Sequence, residues 1–69
     1  MQNNLERAKP LVLNALELYI GYISYDDLVD MLKHRMSSFW VSQALKTLVA
    51  EGKVKRLDSG TSNMYMSIG

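Results

Sequence analysis

The side chains best suited to chemistry in this sequence share one face of a predicted helix. With Val41 at the centre of the buried face, Ser42, Gln43 and Lys46 lie on the opposite side, together with Phe39. A glutamine amide can pair with adenine in the major groove of DNA, a serine hydroxyl with base edges or phosphates, and a lysine with guanine or phosphate. These residue types predict a surface that binds nucleic acid.

The sequence gives little support for catalysis or for a metal site. His34 is the single histidine, cysteine is absent, and no serine has a plausible base nearby in the sequence. Asp27, Asp30 and His34 recur at spacings of three and four, which could suggest a metal site. An acidic helix start and a histidine that compensates the helix dipole explain the spacing better. We therefore expect that the protein is not an enzyme and that it binds no cofactor, metal ion or small-molecule substrate.

Composition is that of a small folded domain. Of the 69 residues, 48% are hydrophobic and 22% are charged, which is typical of a globular chain. Without cysteine, neither a disulfide nor a thiolate zinc site can add stability, so the core or a partner subunit must supply it. The N-terminus lacks the features of a signal peptide, and no apolar run could span a membrane. We expect one soluble, cytoplasmic domain over residues 1–69.

Charge is distributed unevenly, although the net charge is only +1. Residues 1–32 contain two basic and five acidic residues, whereas residues 33–69 contain six basic and two acidic ones. The basic half also contains the helix with the polar face. Such asymmetry is expected where one side of a protein faces a polyanion, although six cations could also simply solvate a surface.

The first helix is predicted from Pro10, a residue that suits the first turn of a helix, and Gly21 is expected to end it. The apolar residues on its core face are Leu11, Val12, Ala15, Leu16 and Tyr19. Residues 1–9 are expected to form an N-terminal arm or a short helix of their own. Pro10 disfavours one continuous helix from Asn4, because a proline inside a helix removes a hydrogen bond.

A short strand and a second helix are predicted next. Tyr22 and Ile23 favour β-structure and could pair with a C-terminal hairpin. Ser24 with Asp27 three residues later resembles a capping box at a helix start. The core face of this helix comprises Leu28, Val29, Met31 and Leu32. Residues 33–35 place positive charge at its C-terminal end, and Met36 is expected to be a buried turn residue.

The third helix is expected to start at a cap formed by Ser37 or Ser38 and to stop at Gly52. Its predicted buried residues are Val41, Ala44, Leu45 and Leu48, with Val49 on the flank.

A hairpin with a basic first strand follows. Its strands are predicted at residues 53–57 and 64–68, joined by a turn-rich loop over residues 58–63 that contains Gly60. Alternation puts Met64, Met66 and Ile68 on one face of the second strand and Tyr65 with Ser67 on the other. Either face could cover the helices.

The run from Met36 to Val54 resembles the recognition-helix signature of winged helix-turn-helix transcription regulators. The shared features are a serine-rich helix start, Val41-Ser42, Ala44-Leu45, a second leucine at Leu48, and Glu51-Gly52 before the hairpin. The segment 23–32 resembles the family's preceding helix. The resemblance implies an α+β, mainly helical fold, with three helices followed by a C-terminal β-hairpin wing.

The same resemblance implies a small, sequence-specific transcription regulator that binds double-stranded DNA. The third helix would enter the major groove, the wing would contact the flanking backbone, and two chains could pair as a homodimer. Groove-facing positions of the family match Ser38, Ser42, Gln43 and Lys46, and wing positions match Arg56 and residues 59–63. The predicted DNA-binding residues are Ser37, Ser38, Phe39, Trp40, Ser42, Gln43, Lys46, Lys55, Arg56, Ser59, Thr61 and Asn63.

The sequence departs from the family pattern in two places. Phe39 and Trp40 stand where small polar residues are commoner, and the wing tip carries no arginine or lysine. The aromatic pair could pack on a sugar or a thymine methyl group, or could anchor a protein partner. Trp40 could instead wedge between helices as part of the core. The alternative function is a winged-helix protein–protein interaction module with Phe39 and Trp40 as anchors.

Overall fold

Three helices and a three-stranded antiparallel sheet make up the fold. The computed structural model describes residues 4–60 and 62–68, without the side chain of Ser59. The helices are α1 (Asn4–Leu18), α2 (Tyr25–Leu32) and α3 (Ser38–Ala50), and the strands are β1 (Ile23–Ser24), β2 (Val54–Ser59) and β3 (Ser62–Ser67). β3 lies between β1 and β2 in the sheet. The predicted winged helix-turn-helix fold is confirmed, with β2 and β3 as the wing.

α1 is longer at its start than the sequence predicts. It runs without interruption from Asn4 with Pro10 inside it, so the predicted break at Pro10 is wrong. Pro10 is exposed, so water can bond the carbonyl that the missing N–H leaves unpaired. The apolar face starts before the proline, because Leu5 packs on the core and Ala8 is buried. This burial stabilises the added turns. Residues 1–3 of the predicted arm lie outside the described residues.

α1 is shorter at its end than predicted. Its last turn closes with a hydrogen bond of 3.2 Å from the Tyr19 N–H to the Leu16 carbonyl, and Gly21 lies beyond the helix in the connection to β1. Tyr19 is 46% exposed, so its predicted place on the core face is wrong, because α1 ends at Leu18 and the helical spacing does not continue to Tyr19. The predicted core residues of α1 that are buried are Val12, Ala15 and Leu16.

The capping of α2 and the short strand before it are confirmed. The Ser24 side chain accepts a hydrogen bond of 3.2 Å from the Asp27 N–H. β1 is shifted by one residue from its predicted position, and it pairs Ile23 with Tyr65 and Ser24 with Met64. The start of α2 is therefore attached directly to the middle strand of the sheet.

The core face of α2 is narrower than predicted. Leu28 and Leu32 are buried, whereas Met31 is 48% exposed, so its predicted place in the core is wrong. A helix of eight residues presents only one narrow stripe to the core, and Met31 lies beside it. Residues 33–35 form the turn after the helix, and Met36 is half-buried against the core.

α3 and α1 each supply four buried residues to the core. The four residues of the predicted stripe of α3 are each no more than 1% exposed: Val41, Ala44, Leu45 and Leu48. They form one core cluster with the buried residues of α1 and with Ile23, Val54 and Tyr65 of the sheet. Gly52 ends α3 as predicted, with a φ of 78° that favours glycine after a helix.

The predicted six-residue loop of the hairpin is wrong. The strands pair as far as Ser59 with Ser62, so only residues 60 and 61 lie between them. Gly60 has a φ of 67°, which the favoured two-residue hairpin turns require at their first position. Tyr65 is only 8% exposed, and this identifies the face of β3 that covers the helices; Ile68 is 55% exposed.

An ion pair joins α1 to the end of α3. Lys9 Nζ lies 2.7 Å from Glu51 Oε2, and the two side chains are 18% and 35% exposed. The hydrogen bond from Lys9 lowers the pKa of Glu51, and the same bond raises the pKa of Lys9. Lys53, whose Nζ is 3.8 Å from Glu51 Oε1, lowers the pKa of Glu51 further. The pair holds α1 at the point where the wing leaves α3.

Replacing Glu51 with glutamine should lower the melting temperature at neutral pH and have little effect in acid. Because the folded pKa of Glu51 is lowered, the pair stabilises the fold above the ordinary carboxyl value of about 4.3. That contribution is lost as the pH falls through the lowered folded pKa. The raised pKa of Lys9 matters only in alkali, where stability is lost as the pH rises through it.

Melting curves of the wild type and of Glu51→Gln at neutral pH and at about pH 3 provide the measurement. Glu17→Gln is the matched control, because Glu17 is exposed and forms no ion pair within residues 4–60 and 62–68. An equal loss for Glu51→Gln at both pH values would show that the ion pair is not the cause.

Candidate nucleic-acid interface

The exposed side of α3 carries three of the predicted DNA-binding residues. Phe39, Gln43 and Lys46 lie opposite the buried stripe, and we refer to them as the α3 ridge. Phe39 is 58% exposed, Lys46 is exposed and Gln43 is half-buried. None of the three is buried against α1. The placement of Gln43 and Lys46 on an outward face therefore agrees with the sequence-based expectation.

A shallow groove joins α3 to the wing. It has a volume of about 250 Å³ and is lined by Tyr25, Ser42, Lys46, Arg56, Asn63 and Tyr65. We refer to it as the wing groove. The fold brings together here two predicted residues of α3, Ser42 and Lys46, and two of the wing, Arg56 and Asn63. Hydroxyl, ammonium, guanidinium and amide groups in one groove are suited to phosphate and base-edge contacts.

Strand register separates the two basic residues of the wing. Arg56 pairs with buried Tyr65, whereas Lys55 pairs with Met66. Because successive side chains of a strand point to opposite faces, Arg56 faces α3 and Lys55 lies on the outer face of the sheet. Lys55 is therefore not brought together with Lys46. Of the remaining predicted wing residues, Thr61 and the side chain of Ser59 lie outside the described residues.

Neighbouring carboxylates hold some of the cations. Arg56 Nη2 lies 3.1 Å from Asp58 Oδ1 and also donates a hydrogen bond of 3.4 Å to Asn63 Oδ1. These contacts orient the guanidinium and partly neutralise it. Lys46, in contrast, forms no ion pair within the part of the chain that the structure describes. The positive charge most available to a ligand in the wing groove is therefore that of Lys46.

Tyr25 contributes a contact that the sequence analysis missed. Its hydroxyl donates a hydrogen bond of 3.2 Å to the Ser38 carbonyl and so ties the first residue of α2 to the first residue of α3. Tyr25 also lines the wing groove. The available signal was its position directly after the capping residue Ser24, where a large polar-tipped side chain can reach the neighbouring helix.

The start of α3 is held by its backbone. Ser37 occupies the N-cap position without a side-chain hydrogen bond, and both Ser37 and Ser38 are exposed. The N–H groups of Trp40 and Val41 bond to the Ser37 carbonyl at 3.1 and 3.2 Å. The two serine hydroxyls therefore need not cap the helix and can contact a ligand at this end of the ridge.

The two adjacent aromatic residues occupy different environments. Trp40 is half-buried and packs against the core, which agrees with the core alternative considered for it. Phe39 is exposed, and its ring meets the Trp40 ring edge to face, with the centroids 5.0 Å apart and the planes at 83°. Only Phe39 presents most of its surface for contact with a macromolecule.

Two other kinds of feature are not found in residues 4–60 and 62–68. These residues contain no group of three or more histidine, aspartate or glutamate side chains that could hold a metal ion. No helix among them has the length and apolar character needed to cross a membrane.

Comparison with known proteins supports the fold. No protein-family model matches the chain, and no curated protein matches it. One solved structure is similar to this chain, with a TM-score of 0.81. It comes from work on the DNA recognition and protein interaction domains of HOP2 and on the homologous DNA pairing properties of HOP2. It shares 27% identity with this chain and covers 88% of it and 98% of its own length. The chain thus has a winged-helix fold of a DNA-binding type, whereas membership of a transcription-regulator family remains a prediction.

The different environments of the aromatic residues lead to a stability test. Phe39→Ala should cost at most about 1.5 kcal/mol of unfolding free energy, which is the value of an aromatic pair contact. Trp40→Ala should cost about 2 kcal/mol or more, because it also removes packing against the core. Denaturant titrations of the two variants give both values. A larger loss for Phe39→Ala than for Trp40→Ala would mean that the ridge is wrongly placed.

Proposed function

We propose that this chain binds duplex DNA through α3 and the wing. The α3 ridge would lie in the major groove, and the wing groove would face the flanking backbone. The observation that carries the proposal is the wing groove, in which Ser42 and Lys46 of α3 meet Arg56 and Asn63 of the wing. The function proposed is binding, without catalysis.

Dimensions and charge support this placement. An α-helix with its side chains is about 10–12 Å across and the major groove about 12 Å wide, so α3 can enter with its ridge leading. Lys46 projects from the ridge without an ion pair to any described residue. Beside it, Arg56 is oriented by Asp58 and Asn63. These two cations would bind phosphates where the backbone passes between helix and wing.

The similar HOP2 structure supports DNA binding more than it supports a role in transcription. The work on that structure concerns DNA recognition and homologous DNA pairing. Sequence-specific regulation of transcription, which the resemblance of the sequence implies, is the finer part of the proposal. Gln43 would carry it, because its amide can read adenine, whereas contacts to phosphate carry no sequence information.

Lys46→Ala should weaken binding to a duplex more than Lys55→Ala does. The two changes remove the same charge, but Lys46 lines the wing groove and Lys55 lies on the outer face of the sheet. The wild type should show a shallow dependence of log affinity on log salt, with a slope of about −2 to −4, and Lys46→Ala should make it shallower by about 1. Fluorescence anisotropy with labelled duplex at two salt concentrations provides the measurement. Equal losses for both variants would contradict the assignment of the groove.

Gln43→Ala should separate a sequence-specific binder from one that binds DNA generally. If Gln43 reads a base, the variant should lose about 1–3 kcal/mol at the preferred site and relax the preference at one base pair. Selection from random duplex pools, carried out with both proteins, gives the preferences. A wild type without any preference would exclude the regulator and leave general duplex binding in place.

Exposure of Phe39 favours one second candidate, a protein-interaction module. An aromatic side chain that is 58% exposed could anchor a partner or a second copy of this chain. The variant Phe39→Ala separates the two functions. Weaker DNA binding with an unchanged sedimentation profile supports the DNA interface, whereas unchanged DNA binding with loss of self-association supports the interaction module.

A further inference from the structure

A second cationic pocket lies between α1 and the start of α3. It has a volume of about 190 Å³. Its exposed lining residues are Asn4, Arg7 and Arg35, and its half-buried ones include Leu11, Met36 and Trp40. We refer to it as the arginine pocket. Two positive charges and no carboxylate line it among the described residues, so it is suited to an anion.

The arginine pocket and the wing groove flank α3 on opposite sides. Successive residues of a helix are separated by about 100°, so Trp40 and Ser42 project from opposite shoulders of α3. Trp40 lines the arginine pocket and Ser42 lines the wing groove. The α3 ridge lies between them. A ligand that follows the ridge would therefore have a cationic recess on each side.

The turn that carries Arg35 is held by its backbone. The N–H groups of Arg35 and Met36 both bond to the Leu32 carbonyl, at 2.9 and 3.0 Å. This fixes the Arg35 backbone at the start of α3, so that little backbone ordering is needed on binding. Its side chain is exposed and forms no ion pair within residues 4–60 and 62–68.

We propose that the arginine pocket binds a backbone phosphate of the DNA strand opposite to the one that the wing groove contacts. The proposal rests on the proposed DNA-binding function. A helix about 10–12 Å across nearly fills a major groove about 12 Å wide, so the phosphates of the two strands pass along its two sides. The wing groove takes one strand and the arginine pocket takes the other.

The chemistry of the pocket fits a nucleotide backbone. The guanidinium of Arg35 can donate two parallel hydrogen bonds to one phosphate, which a lysine cannot do. The half-buried Met36 and Trp40 offer an apolar wall for the adjacent deoxyribose. Arg7 adds a second positive charge on the α1 side of the pocket. A contact to phosphate here sets the orientation of α3 in the groove without reading sequence.

The first test compares Arg35→Ala with Lys33→Ala. Both changes remove one exposed positive charge near the same turn, but Lys33 pairs with Asp30 at 3.1 Å and does not line the pocket. Arg35→Ala should weaken duplex binding about tenfold and make the salt slope shallower by about 1, while Lys33→Ala changes affinity less than about twofold. Arg35→Lys should keep the slope and lose part of the affinity. Melting curves of all three variants establish that they are folded.

The second test identifies the strand. Duplexes with one neutral methylphosphonate at successive positions are titrated with the wild type, Arg35→Ala and Lys46→Ala. Neutralising the phosphate that contacts Arg35 should weaken DNA binding by the wild type but not by Arg35→Ala. That phosphate should lie on the strand opposite to the one whose neutralised phosphate leaves Lys46→Ala unaffected. Coupling of both residues to the same strand would overturn the proposal.

The remaining outcomes distinguish a failure of this inference from a failure of the proposed function. If the wild type binds duplex and Arg35→Ala behaves like Lys33→Ala, the arginine pocket does not contact DNA, although the proposed function stands. If the wild type binds no duplex at any salt concentration, the proposed function fails and this inference fails with it. If Arg35→Ala binds duplex normally but loses binding of inorganic phosphate, the pocket serves a small anion instead.

Discussion

Burial of one face of α3 determines where every part of the proposed interface lies. Val41, Leu45 and Leu48 are each no more than 1% exposed, and burying a side chain of this kind contributes about 1.5–3 kcal/mol. An exposed ion pair contributes about 1 kcal/mol or less. α3 therefore cannot rotate about its axis without a large loss of stability. The α3 ridge faces outward because the opposite face is held in the core.

The wing is held by the same core. Tyr65 in the middle strand is buried, and its register places Ile23 on one side and Arg56 on the other. That register directs Arg56 towards α3 and Lys55 away from it, so a slip of one residue would exchange the two. Lys9 and Glu51 add a contact between α1 and the junction of α3 with the wing. The positions of Lys46 and Arg56 thus follow from packing within the chain.

Features set by short-range periodicity could be predicted from the sequence, whereas those that depend on tertiary contacts could not. The buried stripe of α3 and the cap at Ser24 were predicted, because each depends on residues within a few turns. The predicted break at Pro10 was wrong, because α1 also packs on the core before the proline, through Leu5 and Ala8. The polar character of residues 58–63 predicts a loop, but most of these residues extend the paired strands β2 and β3. The arginine pocket joins Arg7 to Arg35 across the fold, and no local pattern indicates that juxtaposition.

The most direct test of the DNA-binding surface is a titration of the isotopically labelled chain with duplex DNA, followed by amide chemical shifts. We expect the largest shifts at Ser42, Gln43, Lys46 and Arg56, which surround the ridge and the wing groove, with further shifts around Arg35. Residues 18–20 at the exposed end of α1 should change little, since they lie outside both grooves. Shifts concentrated at residues 18–20 or on the outer face of the sheet, with α3 unchanged, would contradict binding through α3 and the wing.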